Sequence, residues 1–508
     1  MPVLLGLDLG TTNCKVLAMD ALGNTLALAA APTPSLPLLP NPSAKQTSHS
    51  PEYDANALWL LFVQLIQQVC ASSTFVAADV VGLCVSSMAE SGVLVDAAGE
   101  PTAPVITWHD LRTKPYLDVW RKRMSPLAVY QNTGLSQDHI YSASKLMWHK
   151  QHTPQAFAGA TQWLGLADWI TFKLTGVHSM SLPMASRTML FDPQTRAWSP
   201  LMLDLAEIPA RLMPPLVASG IVVGHLTSQA ARLTGLRDGV PVSAGGHDHI
   251  CGALAVGAIE PGIILDSAGT AEAFMATLDK SIANEVTALP GLGCGCHTAP
   301  GKYYLLGGIL GGGVVNWLSE TLMGDVSLNN VLRLMSEAER APLGANGVRF
   351  LPYLRGSGPP WRDPNAFGSW LRFRLNHTRA DLMRAAMEGL SFGFCHVVAL
   401  MQQLGGLRAD ALRVTGGSAR NTWWQQLKAD VIGLPIEVTD EPEASAKGAA
   451  LLAGIGAGVF ADEAEAARIS YKPIARYEPD AARHQQYVAI YKQWSRLYPA
   501  LEEIMREG

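Results

Sequence analysis

Residues 241 to 253 read PVSAGGHDHICGA: a predicted strand ends in Gly245-Gly246, and His247, Asp248 and His249 then lead into a small-residue helix. Three adjacent titratable groups at a strand-to-helix turn suit a catalytic site. Phosphoryl transfer to an alcohol needs one carboxylate to take the hydroxyl proton, while cations and backbone amides neutralise the phosphoryl oxygens. Asp248 is the candidate for that base, against the plainer role of an aspartate capping the helix. A second acid, Asp8, stands on the first predicted strand, two residues ahead of Gly10-Thr11. It suits Mg²⁺ held beside a phosphate through retained waters, with a turn-capping aspartate as the alternative. Lys15, four residues beyond Thr11, could reach a phosphate as a point charge or lie solvated on the surface.

The turn at Gly10 has a counterpart. GLDLGTTNCKVLAMD at 6 to 20 returns as ILDSAGTAEAFMATLD at 264 to 279, and Gly10, Thr11 and Asp20 match Gly269, Thr270 and Asp279 at one constant offset. Glycine lets backbone approach a phosphate, and threonine adds a hydroxyl and its own N–H to the cradle. Any hairpin can carry a Gly-Thr turn. A matched pair half a chain apart points instead to a duplicated nucleotide-binding fold whose two cradles grip one polyphosphate. A P-loop is absent, because Tyr303 follows Gly301-Lys302 and no glycine stands five residues before Gly301.

Two further clusters complete the candidate site. Glu90, Trp108, His109, Asp110 and Arg112 fall at the ends of predicted strands, where carboxylates can accept bonds from vicinal hydroxyls and an indole can cover the apolar face of a sugar or polyol. Surface or structural roles compete for each of them singly. On the adenosine side, Gly416-Gly417 with Asn421 and Gly312-Gly313 stand at strand-to-helix turns, where tight packing is the alternative. Two rival chemistries use the same residues. One is a metal-dependent hydrolase built on His109-Asp110, His247-Asp248-His249 and Cys294, Cys296 and His297, although the spacing matches neither a zinc finger nor HExxH. The other is a nucleotide-driven switch of the actin and heat-shock-chaperone type, which has no need of Asp248 beside a polyol pocket.

The elements that position these residues follow from pattern and composition. At 508 residues, with 48% apolar and 16% charged, the chain exceeds one ordinary core and divides into two large domains. The expected limits are 1–245, 246–460 and a helical extension at 461–508. A net charge of -5 without a long basic block argues against nucleic acid or an anionic membrane as partner, and leaves small solutes. Seven scattered cysteines read as reduced thiols, and the start MPVLLGLDLG reads as a first strand rather than a signal peptide, so the expected location is the cytoplasm. The longest nonpolar stretch, 305 to 318, is too short and glycine-rich to span a bilayer. A homodimer is a candidate assembly.

The first 35 residues or so read as an antiparallel three-stranded meander, followed by a proline-rich loop at 32 to 51, a helix from about 53, a strand at 80–87 and another from 92. Helices are expected at 143–152 and 164–176. The second half repeats the logic with strands at 263–279 and 303–307, a helix at 312–323 and a loop-rich region to about 365. Thr378 opens a capping-box-like start to a long helix ending near Leu404; strand ALRVTGG, helix NTWWQQLKADVIG, strand PIEVTD and helix EASAKGAALLAG follow. Tyr487, Ile490, Tyr491, Trp494, Leu497, Tyr498 and Leu501 recur at helical spacing and are read as core packing.

With these residues in place, the sequence resembles the FGGY family of carbohydrate kinases over nearly its whole length. DLGTTNCK is similar to the first phosphate loop, YSASKLMWHK to a K-x-x-W signature, GGHDHICGAL to the catalytic-aspartate segment and DSAGTAEAF to the second phosphate loop; GGGVVNWL and GGSARNTWWQQLKADVIGLPIEV resemble the nucleotide-side turns. The resemblance implies two ribonuclease H-like domains of the actin and sugar kinase superfamily, a central cleft that closes on substrate, and ATP with Mg²⁺. It further implies Asp248 as general base, Asp8 as the Mg²⁺-associated acid, and Thr11, Thr12 and Lys15 in the first phosphate loop. Gly269, Thr270, Gly312, Gly417 and Asn421 would line the ATP side, and Glu90, Trp108, Asp110 and His249 would join Asp248 around the acceptor. The acceptor segment is a mixture. Xylulokinases carry Gln-Met-His where this chain has Met88-Ala89-Glu90, and Glu90 coincides with the glutamate of an Arg-Glu pair in glycerol kinases. Trp108-His109-Asp110 is closer to the W-x-D of xylulokinases and gluconokinases, and His249 replaces a glutamine of glycerol kinases. A pentulose such as xylulose is the leading acceptor, with gluconate, glycerol or another polyol as the alternative.

Overall fold

The computed structural model describes residues 1–36, 51–289 and 291–506, so most of the proline-rich stretch expected at 32 to 51 lies outside the described residues. Two sheets dominate. The first, of six strands, runs in the order 222–225, 241–247, 80–87, 3–9, 13–20, 25–32. The second, of seven, runs 293–296, 303–310, 271–278, 263–268, 411–415, 436–439, 473–477.

Stepping from 25–32 across the first sheet, the pairings are antiparallel, antiparallel, parallel, parallel, antiparallel. Stepping from 303–310 across the second gives the same series. The repeat read in the sequence is therefore a repeat of topology, with strand 293–296 added at one edge. This is an α/β fold of two duplicated ribonuclease H-like lobes with a cleft between them.

Local sequence accounts for most of the elements. Asp54 caps helix Ala55–Cys70 by accepting from the amides of Asn56 and Ala57, and the helix buries Leu58, Phe62, Leu65 and Ile66 on one face. Thr378 and Asp381 form a reciprocal capping box at the start of the 27-residue helix Arg379–Gly405, and Gly406 ends it in the left-handed conformation. The expected loop-rich region to 365 is corrected: Leu328–Arg340 is a helix with Ser327 as its cap. The C-terminal residues form two helices, Ala481–Trp494 and Leu497–Arg506, and bury Tyr487, Trp494 and Tyr498 as expected of core packing.

Helix Ala444–Gly456 crosses between the lobes. Although encoded after all but the last strand of the second sheet, it packs on strands 3–9, 80–87 and 241–247 of the first, and against helix Asp248–Ala255. The approach is close enough to exclude side chains. A Cβ on Gly6 would lie 1.8 Å from the Ala446 carbonyl oxygen, and one on Gly448 would lie 1.9 Å from that of Cys251. Around these two helices a single apolar cluster joins Leu4, Leu17 and Met19 of the first sheet to Leu265, Met275 and Tyr304 of the second.

Candidate active site

Strand Pro241–His247 belongs to the first sheet and runs past residue 245 to deliver Asp248 at the first turn of helix Asp248–Ala255. Gly245 is required there, since a Cβ would sit 1.8 Å from the Val85 carbonyl oxygen. His247 occupies the cap position and makes no side-chain capping bond, so Asp248 is not the helix cap. His247 Nε2 lies 3.2 Å from Asp248 Oδ1, while its Nδ1 is buried without a partner among the described residues. Burial pushes the pKa of His247 down to about 3, outweighing the pull of Asp248, so the ring is neutral and Nε2–H donates to the carboxylate. The His249 amide also donates to Asp248 Oδ1 at 2.6 Å. Asp248 is thus held in one orientation, with its carboxylate available as a proton acceptor.

Asp248 borders a cavity of about 220 Å³ lined also by Thr11, Glu90, Trp108, Arg187 and Arg362. Glu90, in the left-handed region at φ 67°, is buried and receives Arg187 Nε at 2.7 Å. A non-glycine residue held there marks local strain of the kind found at functional sites. Arg187 lies over the Tyr141 ring at 5.3 Å, which fixes its plane. Trp108 Nε1 donates to Thr11 Oγ1 at 3.0 Å, which ties the Thr11 hydroxyl to the wall of this cavity. Asp110 is not among the cavity's lining residues. It is fully buried, accepts from Arg112 at 3.0 Å, and caps the short helical turn that follows. In this arrangement the Asp110 carboxylate is turned to Arg112 and not to the cavity.

A second cavity of about 250 Å³ continues from the first, with His249 lining both. Asp8, Lys15, Gly269, Gly417 and Glu443 line it. Asp8 accepts from Ser86 Oγ at 2.9 Å, and burial followed by the nearby Asp248 charge pushes its pKa up to about 7. Asp8 borders this cavity and Asp248 the first, and carboxylate oxygens are the donors a hard divalent cation favours. Lys15 is paired with Glu443 across the cavity. Thr12 is exposed and lies outside these cavities; its carbonyl accepts from the Thr33 amide.

The third cavity, about 620 Å³, is the largest of the three and is walled by apolar side chains from the corrected helix, Leu328, Val331, Leu332 and Met335. Gly269, Thr270, Gly312, Gly417 and Asn421 line its other side. The Gly312 amide donates to the Gly269 carbonyl at 3.0 Å and the Gly313 amide to that of Thr270 at 2.9 Å, which ties the second Gly-Thr turn to helix Gly312–Met323. A Cβ on Gly312 would lie 2.7 Å from the Gly269 oxygen. Asn421 caps helix Thr422–Ile432 through Trp424 N, so its side chain has a structural duty at the cavity edge. Gly269 and Gly417 line this cavity and the second alike, and an apolar wall beside glycine turns is the kind of surface a flat heterocycle can pack on.

The rival metal reading gains one point and loses another. His247, Asp248 and His249 bring ligand atoms within 4.8 Å of one another, although successive residues of a strand would point to opposite faces. The reason is that the chain turns from strand to helix between them. Cys294, Cys296 and His297 form no such group among the described residues: Cys294 contacts Ser281 Oγ, Cys296 lies against the Pro193 carbonyl, and His297 accepts from the Ala299 amide. Sequence reasoning missed Arg187 and Arg362. A lone charged residue, the arginine inside the mostly apolar run LPMASRTMLF, was the available signal for the first. The missed helix 328–340 was signalled by Leu328, Val331, Leu332, Met335 and Ala338 at helical spacing after Ser327.

Comparison with known proteins agrees with this geometry. The family models for the N-terminal and C-terminal domains of the FGGY family of carbohydrate kinases match residues 3–255 and 265–457. A xylulose kinase of Staphylococcus epidermidis is 28% identical over 99% of this chain and 97% of its own length. A glycerol kinase of Gloeobacter violaceus is 31% identical over 99% and 97%. The crystal structure of xylulose kinase from Rhodospirillum rubrum superposes with a TM-score of 0.89 at 28% identity, covering 99% of this chain and 100% of that one.

Proposed function

The chain belongs to the FGGY family of carbohydrate kinases, and we propose that it transfers the γ-phosphoryl group of ATP, with Mg²⁺, to a pentulose such as xylulose. One observation carries the mechanism: His249 lines both the acceptor cavity and the phosphate cavity, and Asp248 stands beside it. A hydroxyl in the first cavity and a terminal phosphoryl in the second would meet at the start of helix Asp248–Ala255. There Asp248 accepts the hydroxyl proton as the O–H bond breaks and the new O–P bond forms in line, with ADP as the leaving group. His247 holds the carboxylate toward that proton. Asp8 is the residue that would hold Mg²⁺, whose charge offsets the phosphoryl oxygens when it is bound.

Of the two Gly-Thr turns, the second supplies Gly269 and Thr270 to the third cavity, while the first supplies Thr11 to the acceptor cavity. Lys15 is already engaged by Glu443, so its service to a phosphate requires that pair to open or to be shared. We assign the acceptor side and first phosphate loop to residues 1–245, the nucleotide side to 246–460, and a packing role to 461–508. The unpaired cysteines support a reducing, cytoplasmic location. Among the described residues no helix is long and apolar enough to cross a membrane. A glycerol-type polyol is the second reading. Arg187 meets Glu90 in space and so supplies the acid–guanidinium pair that glycerol kinases carry at neighbouring positions.

The test is ADP release with Mg-ATP across ketopentoses, polyols, gluconate and deoxy sugars, with Asp248→Asn alongside. The variant should lose a factor of about 10² to 10⁴ in turnover on the preferred acceptor, the usual cost of a lost positioned base. Near-normal turnover by the variant would remove Asp248 from the mechanism, and a preference for glycerol over every ketopentose would favour the second reading.

A further inference from the structure

The acceptor cavity contains two guanidinium groups in different circumstances. Arg187 comes from the first lobe and is spent on Glu90. Arg362 comes from the second lobe, lines the same cavity, and makes no ion pair or side-chain hydrogen bond among the described residues. Its backbone sits in the left-handed region at φ 46°. A loop braced on both sides holds it there. The Arg362 amide donates to Gly358 O at 3.0 Å, the Ser357 amide to Asp363 O at 2.8 Å, and the Asp363 amide to Ser357 Oγ at 2.9 Å. Tyr498, from the last helix, donates to Asp363 Oδ2 at 2.6 Å, and Trp361 packs on the Tyr498 ring at 5.4 Å. Strain at one residue inside so many bonds is maintained by its surroundings.

The charge of Arg362 acts across the cleft. Burial raises the carboxyl of first-lobe Asp138, yet the hydrogen bond and charge of His139, together with Arg362, hold it below its ordinary value. Arginine has donors only, whereas a carboxylate has acceptors only. Asp248 on one side and Arg362 on the other therefore offer a polyol or ketose opposite polarity. The hydroxyl that loses its proton faces Asp248, and an oxygen lone pair elsewhere on the molecule faces Arg362.

We propose that Arg362 is a specificity-determining residue supplied by the second lobe, and that it donates hydrogen bonds to an acceptor oxygen. Glu90 and Trp108 line the cavity from the first lobe, so an acceptor touching Arg362 as well bridges the two. The proposal rests on the carbohydrate kinase assignment and is independent of which sugar is used.

The experiment takes the acceptor that the wild-type chain turns over fastest and compares Arg362→Ala, Arg362→Lys and the exposed control Arg372→Ala. Arg362→Ala should raise the acceptor KM about 10-fold or more, consistent with loss of a bond to a charged donor, while the KM for ATP moves less than about 2-fold. Arg362→Lys should recover part of that loss, as should guanidinium ion added to the alanine variant. Arg372→Ala should match the wild type. An unchanged acceptor KM, or equal rises for acceptor and ATP with no rescue by lysine or guanidinium, would overturn the proposal and leave Arg362 a structural role. Should the alanine variant fail to fold, Arg362→Gln keeps the stem and is read by the same split. Wild-type inactivity on ketopentoses with activity elsewhere would defeat the pentulose reading alone.

Discussion

Asp168 lies buried in the first turn of helix Leu166–Thr175, accepting from the Ser181 amide at 3.1 Å, with its other oxygen unpartnered among the described residues. Burial pushes its pKa up to about 8, against the amide bonds that oppose the rise. In the unfolded chain the proton leaves near pH 4, so between about 4 and 8 the folded state binds the extra proton, and stability falls as pH rises through that window. Asp168→Asn has no proton to lose. Its unfolding midpoint should exceed the wild-type value at pH 8.5 by an amount worth a few kcal/mol, with the gap closing toward pH 4. A gap that widens on acidification would mean that Asp168 is ionised in the native protein. The same scale shows what sequence can reveal. Asp8 and Asp248 were legible because each stands at the end of a strand, beside the glycine turn that exposes it. Arg187 and Arg362 were not, because they meet the cavity only through contacts spanning roughly a hundred residues or more. The pairing of Asp110 with Arg112 was not legible either, because a carboxylate near a tryptophan reads the same whether it faces a sugar or an arginine.

Between elements, the second phosphate turn is held by charge from below. Lys428 of helix Thr422–Ile432 pairs with Asp266 of strand Ile263–Ala268 at 2.7 Å and with Glu272 of the next strand, and all three side chains are fully buried. Phe394 and Trp424 each lie 4.9 Å from the ammonium. Glu272 is raised well above its ordinary value, by burial first and by Asp266 second. A buried network of this kind is costly to break on one side. Lys428→Met should destabilise the protein by about 3–5 kcal/mol, because it leaves two acids without their cation. Replacing all three with apolar residues of similar volume should recover most of that loss in the same urea titration. If the single variant matches the wild type, the pairing carries no weight. None of this was visible beforehand, since the partners lie on separate elements. The helix Arg379–Gly405 was legible to its first residue because its capping box is local, whereas helix 328–340 was overlooked between glycine- and proline-rich neighbours.

For the whole molecule, duplication was the most legible property, because a repeated strand–turn–strand survives in the sequence even where helices between copies have diverged. What the repeat could not reveal is how the lobes join. The acceptor cavity draws Glu90 and Trp108 from one lobe and Arg362 from the other, so the reactive geometry depends on the lobes approaching each other. Water should be excluded only once an acceptor is present. ATP hydrolysis without sugar is accordingly expected at no more than about 1% of the coupled rate, measured as phosphate release; a comparable rate would show that the site assembles on nucleotide alone.

Helix Ala444–Gly456 covers strands of the first sheet yet is encoded after nearly the whole of the second lobe. On the ribosome, roughly 190 residues separate the end of helix Asp248–Ala255 from the helix that seals the first lobe, a delay of about 10 to 40 s at ordinary elongation rates. Through that interval one face of the nascent first sheet stays uncovered. The order of synthesis thus predicts that ribosome-bound chains halted before codon 444 are more readily cut by protease within residues 1–255 than chains released at full length, and that a transcript cut short there yields two unfinished lobes rather than one finished one.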